Sequence, residues 1–243
     1  MFKKWVCLIL LVQGCSAYAG SVLENFDWGP GVSGRETVAA GDRINGVRVQ
    51  FGDAVFQDMK TDGGIFYNAS GPGRGALLMK GLNNAVGFNY PVSGMTVIKT
   101  EGRFYPGDRN MCGFWLGVQS KGADNQLLNN QTTDRIAVQL NPAGAIIFRV
   151  IVGGVTNQAV ATDGVMKFAS GDLVKMELTI NTAERIATVK VTGAGEGNVR
   201  VRTVQWPAGK QPDWSTVMIN QTGNGQLLID SIEAGVAVPI ILG

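Results

Sequence analysis

The 243-residue chain contains no histidine. Without an imidazole side chain it has no Ser-His-Asp or Cys-His nucleophile, no histidine general base and no His-Glu zinc motif. These classes of hydrolase and metalloenzyme are therefore excluded. An enzyme built on this chain would have to work without histidine, and we expect it to use carboxylate, tyrosine or arginine groups.

Cysteine is also scarce. Cys7 and Cys15 lie within the first 19 residues, so Cys112 is the single cysteine of the remaining chain. One cysteine cannot form an internal disulfide, and the fold must depend on its apolar core. Cys112 lies between Met111 and the segment 113–115 (GFW), which predicts a packed thiol rather than a nucleophile.

The chain lacks an excess of charge of either sign and lacks long apolar runs. Its formal net charge of +2 includes Lys3 and Lys4; without them, 19 basic side chains balance 19 acidic ones. A neutral chain has no basic surface for nucleic acid, so we expect no nucleic-acid partner. No later run reaches the roughly 18 apolar residues of a membrane span.

The first residues have the pattern of an export signal. Lys3 and Lys4 precede the apolar run 5–12, and Ala17-Tyr18-Ala19 is a small-residue cleavage pattern. We therefore predict a signal peptide at residues 1–19, followed by one domain at residues 20–243 that is secreted or periplasmic.

A second interpretation of this segment remains open. Residues 12–15 (VQGC) loosely resemble the lipobox of bacterial lipoproteins, in which the cysteine carries lipid. Cys15 would then anchor the protein to a cell surface.

Glycine is abundant, with 34 residues against eight prolines, and it separates short β-branched or aromatic runs. Residues 173–180 and 186–191 alternate apolar and polar side chains on either side of a short turn, which predicts an antiparallel hairpin. Residues 97–104, 135–140 and 198–204 alternate in the same way, which predicts strands buried on one side only. No helical repeat of three turns is present, so the sequence predicts an all-β protein.

Two further segments carry predictions about strand position. Residues 145–152 are more continuously apolar, which predicts a central strand covered on both faces. Residues 225–236 are typical of a closing strand, and we expect it to pair near the start of the chain, within residues 22–28.

Four segments together resemble concanavalin A-like lectin and glucanase domains, including laminin G-like modules. They are residues 102–107 (GRFYPG), 113–119 (GFWLGVQ), 170–173 (SGDL) and 228–232 (LIDSI), within a resemblance that covers residues 94–236. The resemblance implies a jelly-roll sandwich of two antiparallel sheets, on which a glycan is often held. It also implies a structural calcium ion between the first and last strands, with Asp27 and Asp230 as the candidate ligands.

Strand parity gives a candidate glycan site. If the apolar positions face the core, the opposite positions present aromatic, amide, guanidinium and carboxylate groups, which are the groups that bind sugars. The predicted ligand residues are Glu101, Arg103, Tyr105, Trp115, Arg135 and Gln139. The alternative is an ordinary solvated sheet face with Trp115 packed in the core.

Three functions remain open. Glucanases of this fold place their carboxylates on one strand as Glu-x-Asp-x-x-Glu or Glu-x-Asp-x-Glu, and neither pattern occurs here. A non-catalytic glycan-binding module is therefore the leading prediction. A polysaccharide-active enzyme using Glu101, Glu177, Asp134 or Tyr105 is the second, and a structural or adhesion protein is the third.

Overall fold

A computed structural model describes residues 19–26, 39, 41–58, 64–68, 75–81, 83–107, 113–120, 133–160, 166–209 and 212–237 of the chain. Within these ranges the protein forms β-strands and no helix. Consequently, this part of the chain offers no helix that is long and apolar enough to cross a membrane. Cys15, Asp27 and Cys112 lie outside the described residues, so what was expected of them stays a prediction.

The first layer of the sandwich is an eight-stranded antiparallel sheet. Its strands are β1 (Ala19–Glu24), β3 (Ile65–Asn68), β4 (Gly75–Lys80), β6 (Met95–Tyr105), β11 (Leu173–Asn181), β12 (Ile186–Thr192), β13 (Val199–Gln205) and β15 (Gln226–Val236). Their spatial order is β13-β12-β11-β6-β15-β4-β3, and β1 also pairs with β15.

The second layer is a seven-stranded antiparallel sheet. Its strands are β2 (Gln57–Asp58), β5 (Asn83–Asn89), β7 (Gly113–Ser120), β8 (Arg135–Leu140), β9 (Ile146–Val152), β10 (Val155–Val160) and β14 (Trp214–Thr222). Their order is β10-β9-β8-β7-β14-β5-β2, so strands distant in sequence become neighbours.

The inner faces of both sheets form one apolar core. Alternate residues of β11 face inward, so Val174, Met176, Leu178 and Ile180 are at most 1% exposed. Burying one side chain of this size stabilises the fold by about 1.5–3 kcal/mol. The apolar residues at every second position therefore face the space between the two sheets and form the core there.

Several predicted elements are confirmed. β11 and β12 form the predicted hairpin, with Asn181 opposite Ile186 and Arg185 in the left-handed region at φ 58°. The closing strand β15 pairs with β1, in which Glu24 lies opposite Ile232. This first strand begins at Ala19, earlier than the predicted segment 22–28.

Two predictions about strand burial are wrong. β9 lies next to the edge strand β10 and not at the centre of the sheet, and its burial alternates over its first four residues. β8 is buried along its whole length and not on one side only, because the outer face of the seven-stranded sheet is also covered.

A β-bulge interrupts the pairing of β15 with β6 at Asp230. Ile229 lies opposite Gly102 and Ser231 opposite Glu101, so Asp230 is the extra residue. Before the bulge, the odd-numbered residues Leu227 and Ile229 face inward. After it, the even-numbered residues Ile232 and Ala234 do so.

Candidate functional site

The six predicted ligand residues are divided between two opposite surfaces of the sandwich. Glu101, Arg103 and Tyr105 belong to β6 of the eight-stranded sheet. Trp115, Arg135 and Gln139 belong to β7 and β8 of the seven-stranded sheet. The apolar core lies between the two groups, so no ligand of ordinary size contacts both of them.

Trp115 is buried, with 1% of its surface exposed. It forms a small apolar cluster with Ala85, Ala137 and Met218 on the outer side of the seven-stranded sheet. Its indole Nε1 donates a hydrogen bond to Oγ1 of Thr222, 3.1 Å away. The ring is therefore not available for stacking against a sugar in this arrangement.

A polar row crosses the same sheet and ends at its accessible margin. Register partners place Arg135, Gln119, Thr216 and Asn89 side by side on four neighbouring strands. The first three are buried and Asn89 is exposed. Burial lowers the pKa of Arg135, and the nearby Arg149 lowers it further.

An open cleft of about 690 Å³ begins where this row reaches solvent. Its polar lining comes from Ser21, Asp53, Gln57, Asn89 and Ser93, and its apolar lining includes Val55, Tyr90 and Pro91. Burial raises the pKa of the Tyr90 hydroxyl further above neutral pH, so this group adds no charge to the cleft. Pockets of this size and mixed lining are typical of small-ligand sites.

A short hairpin forms one wall of the cleft. Arg48 and Val55 form an isolated bridge, and the backbone N–H of Val49 donates to the carbonyl of Ala54 at 3.0 Å. At its tip, Gly52 has φ 101°, and a Cβ there would lie 2.7 Å from the carbonyl oxygen of Ser21. Only glycine permits both this backbone conformation and this approach to β1.

The opposite wall follows the end of β5. The N–H groups of Tyr90 and Val92 donate to the carbonyls of Ser215 and Trp214, at 2.8 and 2.9 Å. Oγ1 of Thr96 then donates to the carbonyl of Ser93 at 2.9 Å. These bonds hold the wall in place before any ligand arrives.

The outer face of the eight-stranded sheet is a charged surface. Nζ of Lys175 lies 2.7 Å from a carboxylate oxygen of Glu101, and Nζ of Lys99 lies 3.7 Å from one of Glu233. Arg103 donates to the carbonyl of Gly171 at 3.2 Å. A depression of about 320 Å³ lies among these groups.

The four candidate catalytic groups do not all lie together, although Glu101 and Glu177 both line the depression of about 320 Å³. Glu101, Glu177 and Tyr105 belong to the eight-stranded sheet, and the first of these is paired with Lys175. Asp134 precedes β8 of the other sheet, where its Oδ1 accepts the N–H of Gly153 at 2.5 Å. Glu101 and Asp134 thus stabilise local structure on opposite layers.

Within the described ranges, no three histidine, cysteine, aspartate or glutamate residues converge as metal ligands. Burial raises the pKa of Asp230, the neighbouring Arg103 opposes that rise, and Glu101 adds to it. A guanidinium next to Asp230 does not suit a calcium ligand. The other predicted ligand, Asp27, lies outside the described residues. The calcium site therefore stays a prediction.

Comparison with known proteins identifies the fold. No protein-family profile and no curated protein sequence matches the chain. Among solved structures, winged bean acidic lectin complexed with methyl-α-D-galactose has a TM-score of 0.58 at 10% identity, covering 88% of this chain and 97% of the lectin. Peanut lectin with a nine-residue peptide has a TM-score of 0.54 at 12% identity, covering 89% and 97%.

A third structure, arcelin-5, a lectin-like defence protein from Phaseolus vulgaris, has a TM-score of 0.53 at 12% identity, covering 89% and 98%. The chain therefore has the concanavalin A-like lectin fold, as the sequence predicted. At these identities the likeness establishes architecture alone.

Proposed function

We propose that this protein is an exported, non-catalytic module that binds glycan in the cleft between the hairpin 48–55 and the end of β5. The observation that carries the proposal is the cleft itself, which is open, about 690 Å³ in volume and lined mainly by uncharged side chains, several of them polar. The fold supports it, because structures with this fold include a lectin complexed with methyl-α-D-galactose.

The chemistry of the cleft suits a sugar. The Asn89 and Gln57 amides each supply a donor and an acceptor, and the Ser21 and Ser93 hydroxyls do the same for neighbouring sugar hydroxyls. Pro91 and Val55, which are exposed, offer apolar surface to the C–H face of the ring, with the buried Tyr90 behind them. Among the described residues that line the cleft, Asp53 is the one charged group; its carboxylate lies 3.6 Å from Nη1 of Arg48 and would accept hydrogen bonds from sugar hydroxyls.

The buried residues of the seven-stranded sheet support this site from behind. Thr216 lies beside Asn89 in register, and Gln119 and Arg135 continue the row into the covered part of the face. In this proposal Trp115, Arg135 and Gln139 hold the sheet rigid. Ligand contact comes from the residues at the margin.

A glycan array with residues 20–243, followed by calorimetry on the best ligand, tests the proposal. Each neutral hydrogen bond contributes about 0.5–1.5 kcal/mol, so Asn89→Ala and Gln57→Ala should each weaken binding about three- to tenfold. Gln205→Ala makes the same kind of change on an exposed position of the eight-stranded sheet and serves as the matched control.

Two results would reject the proposal. One is the absence of binding to every glycan on the array. The other is equal loss of affinity in Gln205→Ala and in Gln57→Ala. Release of new sugar ends from a bound polysaccharide would instead identify the protein as an enzyme.

A further inference from the structure

Two buried tryptophans at one end of the sandwich have indole N–H groups without an acceptor. Trp206 follows β13 and Trp214 begins β14, and they are 2% and 1% exposed. Their rings meet edge to face, with centroids 5.1 Å apart and an angle of 80° between the planes. Neither Nε1 atom has a hydrogen-bond partner in the structure as described. A buried indole N–H usually has one, as that of Trp115 does.

Arg185 lies next to this pair of rings. Its carbonyl accepts the backbone N–H of Trp206 at 3.1 Å. On β12 and β13, Ala187 and Val204 are opposite each other and face the core, so Arg185 and Trp206, two residues further along, start on the same inward side. The Nε atom of Arg185 is buried and also lacks a partner.

The positive charge of Arg185 is not compensated within the described part of the chain. Its guanidinium forms no ion pair or hydrogen bond there. Glu184 and Asp213, the acidic neighbours of Arg185 and Trp214 in sequence, are both exposed. One cation and two buried N–H donors therefore share this end of the sandwich, and we refer to Arg185, Trp206 and Trp214 as the donor cluster.

We propose that the donor cluster binds a chloride ion. A chloride accepts hydrogen bonds from indole and guanidinium N–H groups alike, and it neutralises the guanidinium. A water molecule would accept two of these bonds, but its own hydrogens need acceptors, and the three unpartnered nitrogens are all donors. Edge-to-face packing lets one indole N–H at most point at the other ring, so it does not satisfy both.

The space favours a single-atom ion over a larger anion. The two rings already contact each other at a centroid distance of 5.1 Å, and both are almost completely buried. A carboxylate or phosphate would have to bring further polar atoms into these surroundings, and each of them would lose its contact with water. Chloride brings one weakly hydrated atom.

The bound ion would connect three separate parts of the chain. Arg185 belongs to the turn of the β11–β12 hairpin, and Trp206 ends the β12–β13 pair. The carbonyl of Trp214 accepts the N–H of Val92, at 2.9 Å, in the segment that follows β5. Because the unfolded chain does not hold these groups together, chloride should bind the folded state and stabilise it.

Urea unfolding of residues 20–243, followed by tryptophan fluorescence, tests this proposal. Chloride replaces gluconate from about 1 to about 500 mM at constant ionic strength, so that screening stays the same. We expect the folding equilibrium constant to rise about tenfold for each tenfold rise in chloride above its dissociation constant. Glycan is absent from this measurement, so its result does not depend on the cleft.

Three variants identify the groups that hold the ion. Arg185→Gln removes the charge and should abolish the chloride dependence. Trp206→Phe keeps an aromatic ring and removes one donor, which should weaken chloride binding about three- to tenfold. Arg48→Gln makes the same change as the first variant at an exposed arginine and is the matched control, which should respond as the unmodified chain does.

A crystal grown in bromide locates the ion directly. We expect an anomalous peak within hydrogen-bond distance of Nε1 of Trp206, Nε1 of Trp214 and Nε of Arg185. A water molecule or no density at this position would overturn the proposal. So would stability that is independent of chloride, or a chloride dependence that is the same in Arg185→Gln and in Arg48→Gln.

Discussion

The indole Nε1 of Trp115 and Oγ1 of Thr222 are joined by a hydrogen bond of 3.1 Å on the covered outer side of the seven-stranded sheet. Trp115 is 1% exposed and Thr222 is 3% exposed. This bond satisfies the polar atom of a large buried ring, which is the usual condition for burying tryptophan. Trp115 is thus a structural residue of the face that carries the proposed site.

Thr222→Val should destabilise the protein by about 1–3 kcal/mol, because it keeps the shape of the side chain and leaves the indole N–H without this acceptor. Thr222→Ser keeps the acceptor and should cost less. Urea unfolding followed by circular dichroism measures the difference. Equal stability of the Val variant and the unmodified chain would show that the bond contributes nothing.

Gly52→Ala should weaken glycan binding, because the new Cβ would meet the carbonyl oxygen of Ser21 at 2.7 Å and move the hairpin wall of the cleft. Gly41→Ala is the control. Gly41 has a similar φ of 96°, and a Cβ at that position would have no atom within 4 Å. Both variants carry a backbone cost of about 1 kcal/mol, and only Gly52→Ala should lose affinity in calorimetry. Equal losses would contradict the assignment of the wall.

Asp230→Asn should stabilise the protein at neutral pH. Burial raises the pKa of Asp230 in the folded state above its unfolded value. The unfolded chain therefore loses this proton first as pH rises. As the pH rises from the unfolded-state pKa to the folded-state pKa, the free energy of unfolding decreases. It stays at this lower value above the folded-state pKa.

The difference in unfolding free energy between Asp230→Asn and the unmodified chain should be larger at pH 7 than at pH 3. Glu101→Gln should lower the pKa of Asp230, as measured by carboxyl NMR titration. A loss of stability at pH 7 in Asp230→Asn would contradict this explanation. Calcium that protects the unmodified chain and not Asp230→Asn would place a metal ligand at this residue.

Mass spectrometry of the exported protein should find Gly20 as its first residue. Cleavage after Ala19 removes one residue of β1 and retains the pairs of Val22, Leu23 and Glu24 with β15. The mature fold therefore keeps its first strand. A lipid-modified Cys15 at the N-terminus would contradict this prediction and support the anchored alternative.

The strands were predictable from sequence because alternation is a local property. The β11–β12 hairpin combines such alternation with a short turn, and the structure confirms both. The sheet that each strand joins depends on distant partners. β6 lies between β11 and β15, whereas β7, the next strand along the chain, pairs with β8 and β14. Tyr105 and Trp115, ten positions apart, therefore belong to different sheets.

The cleft was not predictable in the same way. Its walls come from the segment 48–55, from β1 and from the residues that follow β5, and only long-range pairing unites them. Asn89 and Tyr90 before Pro91 mark a strand end, but the sequence does not show that Thr216 lies beside Asn89.

NMR titration of the ¹⁵N-labelled domain with the best glycan from the array tests most directly whether the cleft is the binding site. We expect the largest shifts for the amides of Asn89, Tyr90 and Ser93 and for the Asn89 and Gln57 side chains. Shifts centred on Trp115 and Gln139, or on Glu101 and Arg103, with an unchanged cleft would contradict a glycan site there.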